Sequence, residues 1–102
     1  MIVVEARIQC NPGKRDDFIT QAQPSIEATQ KEEGCLHYEL LKSTIHQDHL
    51  LYYERWADRD ALKKHAESKH MGEWKNRREE LGLVSEPPTV IVYDIAPAAK
   101  EG

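Results

Sequence analysis

The stretch Leu50 to Trp56, Leu-Leu-Tyr-Tyr-Glu-Arg-Trp, constrains the fold more than any other. As a strand it sets Leu50, Tyr52, Glu54 and Trp56 on one side and Leu51, Tyr53 and Arg55 on the other. Both sides are substantially apolar. Thr89 to Ala96 behaves alike, with Val90 and Val92 against Ile91, Tyr93 and Ile95. A sheet with helices on one face and water on the other should alternate apolar with polar residues. These strands therefore need cover on both faces. The chain has 102 residues, enough for one domain with one modest core. Its helices can cover one face only, so a second copy across a two-fold axis is expected to cover the other.

The remaining elements follow from periodicity and punctuation. Ile2 to Cys10 alternates as a strand, with Ile2, Val4, Ala6, Ile8 and Cys10 on one face, and Asn11-Pro12-Gly13 stops it. From Lys14 to Glu33, Phe18, Ala22, Ile26 and Thr29 recur at helical spacing. Pro24 should kink this helix or split it near Gln23, and Gly34 should end it. Cys35 to Lys42 is a second strand and Leu50 to Trp56 a third, joined by a polar connection. Asp58 and Ser68 are helix caps. Leu62, His65 and Ala66 share one helical face, and Met71, Trp74, Arg78 and Leu81 share the next. Thr89 to Ala96 is the last strand. The order gives an α+β, ferredoxin-like βαββαβ fold with an antiparallel sheet. Residues 1–96 are expected to be one domain and residues 97–102 a loose tail.

Charge and composition exclude several classes of partner. Lys and Arg number 14 against 18 Asp and Glu, a formal net charge of −4, which disfavours nucleic acid and anionic lipid. No apolar run of ~18 residues is present to span a membrane. The N-terminus lacks the basic start and apolar stretch of a signal peptide, so a cytoplasmic protein is expected. Cys10 and Cys35 read as buried thiols rather than a disulfide framework.

Four segments together resemble the antibiotic biosynthesis monooxygenase superfamily. Glu32-Glu33-Gly34-Cys35-Leu36-His37-Tyr38-Glu39-Leu40 resembles its E-x-G-C-x-x-Y-x-L stretch. Tyr53-Glu54-Arg55-Trp56-Ala57-Asp58 resembles its Y-E-x-W-x-D, and His65 to Met71 its H-x-x-S/T-x-H-hydrophobic element. Arg7-Ile8 followed by Pro12-Gly13-Lys14 resembles its first strand and turn. The resemblance runs over about residues 2 to 96 and implies a dimeric α+β barrel, two ferredoxin-like sheets packed together. It also implies one of several activities: oxygenation of quinols or phenols without metal or flavin, isomerisation of a small carbonyl compound of the autoinducer-2 processing type, or haem degradation. The haem-degrading members carry an Asn before the first-strand Arg, a helical Trp and a later haem-ligating His. Here those places hold Ala6, His65 and the Trp74-Lys75-Asn76 region, so haem is not expected.

His65 is the candidate catalytic residue. Its neighbours Leu62 and Ala66 turn it inward, and imidazole of near-neutral pKa can take a proton from a phenol or enol. The bland reading is an inward His satisfied by a backbone carbonyl. The resemblance, in which a His stands here in quinol monooxygenase-like and isomerase-like members, sets the base level with that reading. Trp56, Tyr53, Trp74 and Tyr38 are candidate substrate contacts, with core or dimer packing as their alternative. His70 could orient a substrate or cap its turn. Glu54 and Arg55 are expected to be structural ion pairs, with Arg7 and Glu39 as candidate partners. His46 and His49 lie three residues apart in a turn, which is too few ligands for zinc. No cofactor or metal is expected. The leading function is cofactor-independent oxygenation of a small aromatic or quinol-like compound by molecular oxygen, with His65 as base. The alternatives are isomerisation of a small carbonyl compound and non-catalytic binding of small apolar ligands.

Overall fold

The computed structural model describes residues 1–96; the tail expected over residues 97–102 lies outside them. The elements are β1 (Ile2–Gln9), α1 (Arg15–Gln30), β2 (Cys35–Lys42), β3 (His49–Trp56), α2 (Arg59–Ala66), α3 (Lys69–Glu80) and β4 (Thr89–Asp94). The four strands form one sheet in the order β2-β3-β1-β4, and every neighbouring pair is antiparallel. This is the ferredoxin-like α+β arrangement. No helix among the described residues is long and apolar enough to cross a membrane.

Strand alternation decides what meets the helices. On β3 the buried positions are Leu50, Tyr52, Glu54 and Trp56, with half-buried residues between them. On β1 they include Ile2, Val4, Ala6 and Ile8. Against them α1 lays Phe18, Ala22 and Ile26, α2 lays Ala61 and His65, and α3 lays Trp74. The opposite face carries Leu51, Tyr53 and Arg55. Every residue of β4 is exposed, with Val90 at 56% and Ile91, Val92 and Tyr93 at about 40%. One face of the sheet thus lacks cover within a single chain.

The helix starts behave as their residues require. Asp58 accepts a hydrogen bond from the Ala61 amide at 2.8 Å, and Ser68 from the Met71 amide at 3.4 Å. The break expected near Gln23 is absent, because α1 runs unbroken through Pro24. Proline there removes the amide that would bond to Thr20, yet Phe18, Ala22, Ile26 and Thr29 bury the helix on both sides of it. The packed face outweighs one missing bond. The last strand stops at Asp94 instead of Ala96, although the Ile95 amide still donates to the Met1 carbonyl at 2.9 Å.

One glycine has no substitute. Gly34, between α1 and β2, has φ +83°, which is a glycine conformation. A Cβ there would sit 2.5 Å from the Cβ of Ala61. The close approach seats the first turn of α2, and hence His65 one turn later, against the start of β2.

Candidate active site

The site is assembled from two strands, two helices and one turn. β2 contributes Tyr38, β3 contributes Tyr52, Glu54 and Trp56, α2 contributes His65 and α3 contributes His70 and Trp74. Glu32 enters from the turn after α1. Its amide bonds back to the Thr29 carbonyl at 3.0 Å and its carbonyl accepts from the Cys35 amide at 3.1 Å. The carboxylate thereby meets two imidazoles. Nδ1 of His65 lies 3.1 Å from one Glu32 oxygen and 3.3 Å from the other, and Nε2 of His70 bonds the second of these oxygens.

This arrangement selects a tautomer. A carboxylate only accepts, so a neutral His65 in contact with it carries its proton on Nδ1 and keeps a lone pair on Nε2. The ring is 5% exposed and boxed by aromatics. Trp56 lies against it at a centroid separation of 4.7 Å, and Tyr38 crosses it at 5.4 Å. Burial lowers the pKa of His65 below its ordinary value, while the Glu32 charge and hydrogen bond work the other way. The buried phenols of Tyr38 and Tyr52 are shifted up, chiefly by burial, and stay neutral.

His65 lines a cavity of about 290 Å³, near the small end of small-molecule sites. Its other walls include Tyr38, Tyr52, Glu54, Met71 and Trp74. A wider groove of about 580 Å³ between α1 and α3 reaches His70 but not His65. Tyr38 and Trp74 therefore share the cavity with His65. Trp56 is fully buried and backs His65 without lining the cavity. His70 shares Glu32 with His65 but does not line that cavity. Tyr53 lies on the opposite face of the sheet, 5.6 Å from the His37 ring and under the Arg55 guanidinium.

Two side chains of this cluster were not read as part of a site from the sequence. Glu32 was visible only as part of a family motif, because its aim depends on the turn geometry. Glu54 was expected to pair with a cation, and that expectation is corrected. Among the described residues no ion pair involves it, and its partner is the Trp56 indole, whose Nε1 donates at 2.9 Å. Two residues apart on a strand, they share a face. Glu39 instead pairs with His37 at 2.9 Å. Burial, with the Glu32 charge adding to it and the indole bond opposing it, raises the Glu54 carboxyl to about 7.

Glu32, His65 and His70 each offer one ligand atom, all within 4.8 Å of one another, a donor set that suits a divalent transition metal. A cation there would take the Nδ1 position that orients His65. His46, in the exposed β2–β3 connection, stacks 4.5 Å from the ring of His49 at the start of β3. Cys10 is buried, with its thiol raised to about 11 by burial first; Cys35 is only half-buried and is also shifted up. Neither is an activated nucleophile.

Residues 1–77 match the model of the family described as antibiotic biosynthesis monooxygenase. The Bacillus subtilis protein YcnE, whose name gives it a provisional monooxygenase assignment, is 32% identical over 96 residues, covering 94% of this chain and 99% of its own. An uncharacterized protein of Synechocystis is 30% identical over 95 residues, 93% of this chain, which spans only 63% of that relative's length. The solved structure of Rv0793 from Mycobacterium tuberculosis superposes with a TM-score of 0.83 at 28% identity, covering 97% of this chain and 98% of its own.

Proposed function

The chain belongs to the antibiotic biosynthesis monooxygenase family, and from that membership we propose that it oxygenates a small aromatic or quinol-like compound without a cofactor, with His65 as general base. One observation carries the reading: a buried imidazole, held at Nδ1 by a carboxylate, lines an aromatic-walled cavity. Nε2 takes a proton from a ring hydroxyl, and the Nδ1 contact with Glu32 stabilises the imidazolium that forms. The resulting anion passes an electron to molecular oxygen, and the radical pair joins as a carbon–oxygen bond. Loss of water from the hydroperoxide leaves a hydroxylated quinone. One oxygen atom enters the product and the other leaves as water. All the electrons come from the quinol, so no outside reductant is required.

Oxygen uptake with a panel of hydroquinones tests the reading, and uptake matched to substrate consumed is the expected result. Turnover of a small carbonyl compound without oxygen uptake would replace it with isomerisation, which needs the same base. Stabilisation by an apolar ligand with no turnover would replace it with binding alone.

The working unit in this proposal is a homodimer. The exposed apolar side chains of β4 and the half-buried Leu51 and Tyr53 support a second copy across that face. A dimer mass is expected by sedimentation at micromolar protein, and a monomer mass contradicts it.

A further inference from the structure

We infer that Glu54 is a second substrate contact in the His65 cavity, bonding a ring oxygen other than the one His65 deprotonates, so that the preferred ligand is a dihydroxylated aromatic rather than a simple phenol. The inference rests on the functional reading above but is tested separately from it.

Four polar or charged residues are buried among the described residues: Ser25, Thr29, Glu54 and His65. Ser25 and Thr29 belong to α1, where the Thr29 hydroxyl bonds back to the Ser25 carbonyl at 2.8 Å. Glu54 and His65 are the two that titrate, and both line the same cavity. A carboxyl that is 5% exposed is costly unless paired. Glu54 has only the Trp56 indole, on Oε1, and Oε2 makes no hydrogen bond within the described residues. Lys75 and Arg78 also line the cavity, yet among the described residues neither forms an ion pair with Glu54. Holding Trp56 would need an acceptor alone, which an amide supplies without a titrating group. A cavity-lining carboxyl with one oxygen left unbonded is what an amide would not reproduce.

Trp56 fixes the spacing of the pair, because its N–H holds Glu54 while its ring face lies against His65. A ligand with two oxygens on one rigid frame would offer one to each. A carboxyl near its midpoint at neutral pH can accept from a hydroxyl and donate to the carbonyl that replaces it after oxidation.

The test is anaerobic binding of hydroquinone and of its monomethyl ether, followed by tryptophan fluorescence, to the wild type and to Glu54→Gln and Glu54→Met. The wild type should prefer hydroquinone by about tenfold or more. Both variants should bring the two affinities to within about threefold of each other. Equal binding of the two ligands by the wild type, or a preference that survives in Glu54→Gln, would overturn the inference and leave Glu54 as a support for Trp56. Failure of the wild type to bind either ligand would also overturn it. Preferential binding without later oxygen uptake would overturn the oxygenase reading alone.

Discussion

Replacing His65 with alanine should lower turnover by about a hundredfold or more, because the step that generates the electron-rich anion loses its base. Burial keeps this imidazole below its usual pKa, so it is the neutral form near pH 7. The limb that belongs to His65 should therefore appear as pH drops through a value under 6.5, where the ring becomes protonated and can no longer accept. Glu32→Gln tests the positioning role beside it. That change removes the charge that supports the imidazolium, and an amide can present its N–H₂ to Nδ1 and favour the wrong tautomer. Turnover should fall about tenfold or more, and the acid limb of the rate profile should move to still lower pH. A merely structural Glu32 would leave the limb where it is. A loss of less than about threefold in His65→Ala would refute the base.

Gly34→Ala should be the most damaging small substitution in the chain, costing roughly 2–4 kcal/mol in chemical denaturation. Alanine is strained at φ +83°, and its Cβ would meet the Ala61 Cβ at 2.5 Å. Neither Cβ can rotate away, so the first turn of α2 must lift from β2. Ala61 precedes His65 by four residues on the same helix face, so the shift also draws the imidazole from Glu32. Adding Ala61→Gly removes the clash but not the strain, and should restore part of the loss. A cost below about 0.5 kcal/mol would show that the backbone tolerates a side chain there.

What the sequence disclosed depended on how local each cause was. Period two separated the faces of β3, and period 3.6 turned His65 inward; both signals are carried by neighbouring residues. The same alternation had already put Tyr53 with Leu51 and Arg55, away from Trp56, so its place on the far face was legible although it was grouped with the pocket. Pro24 signalled a kink or a split, and of these the split is absent because packing on both sides keeps α1 continuous. The Glu54 expectation failed because it sought a charged partner across the sheet, while the partner was an indole two residues along. Glu32 was the least legible. Its carboxylate reaches residues more than thirty positions away through a turn set by Gly34, and no periodicity encodes that aim.

Isotopically heavy molecular oxygen, supplied with hydroquinone to protein stripped of metal by a chelator, tests the central claim most directly. Cofactor-free oxygenation in the His65 cavity predicts one heavy atom in the hydroxylated quinone and the other in water, with the rate collapsing in His65→Ala. An unlabelled product, or label that enters only after a divalent metal is restored to Glu32, His65 and His70, would contradict it.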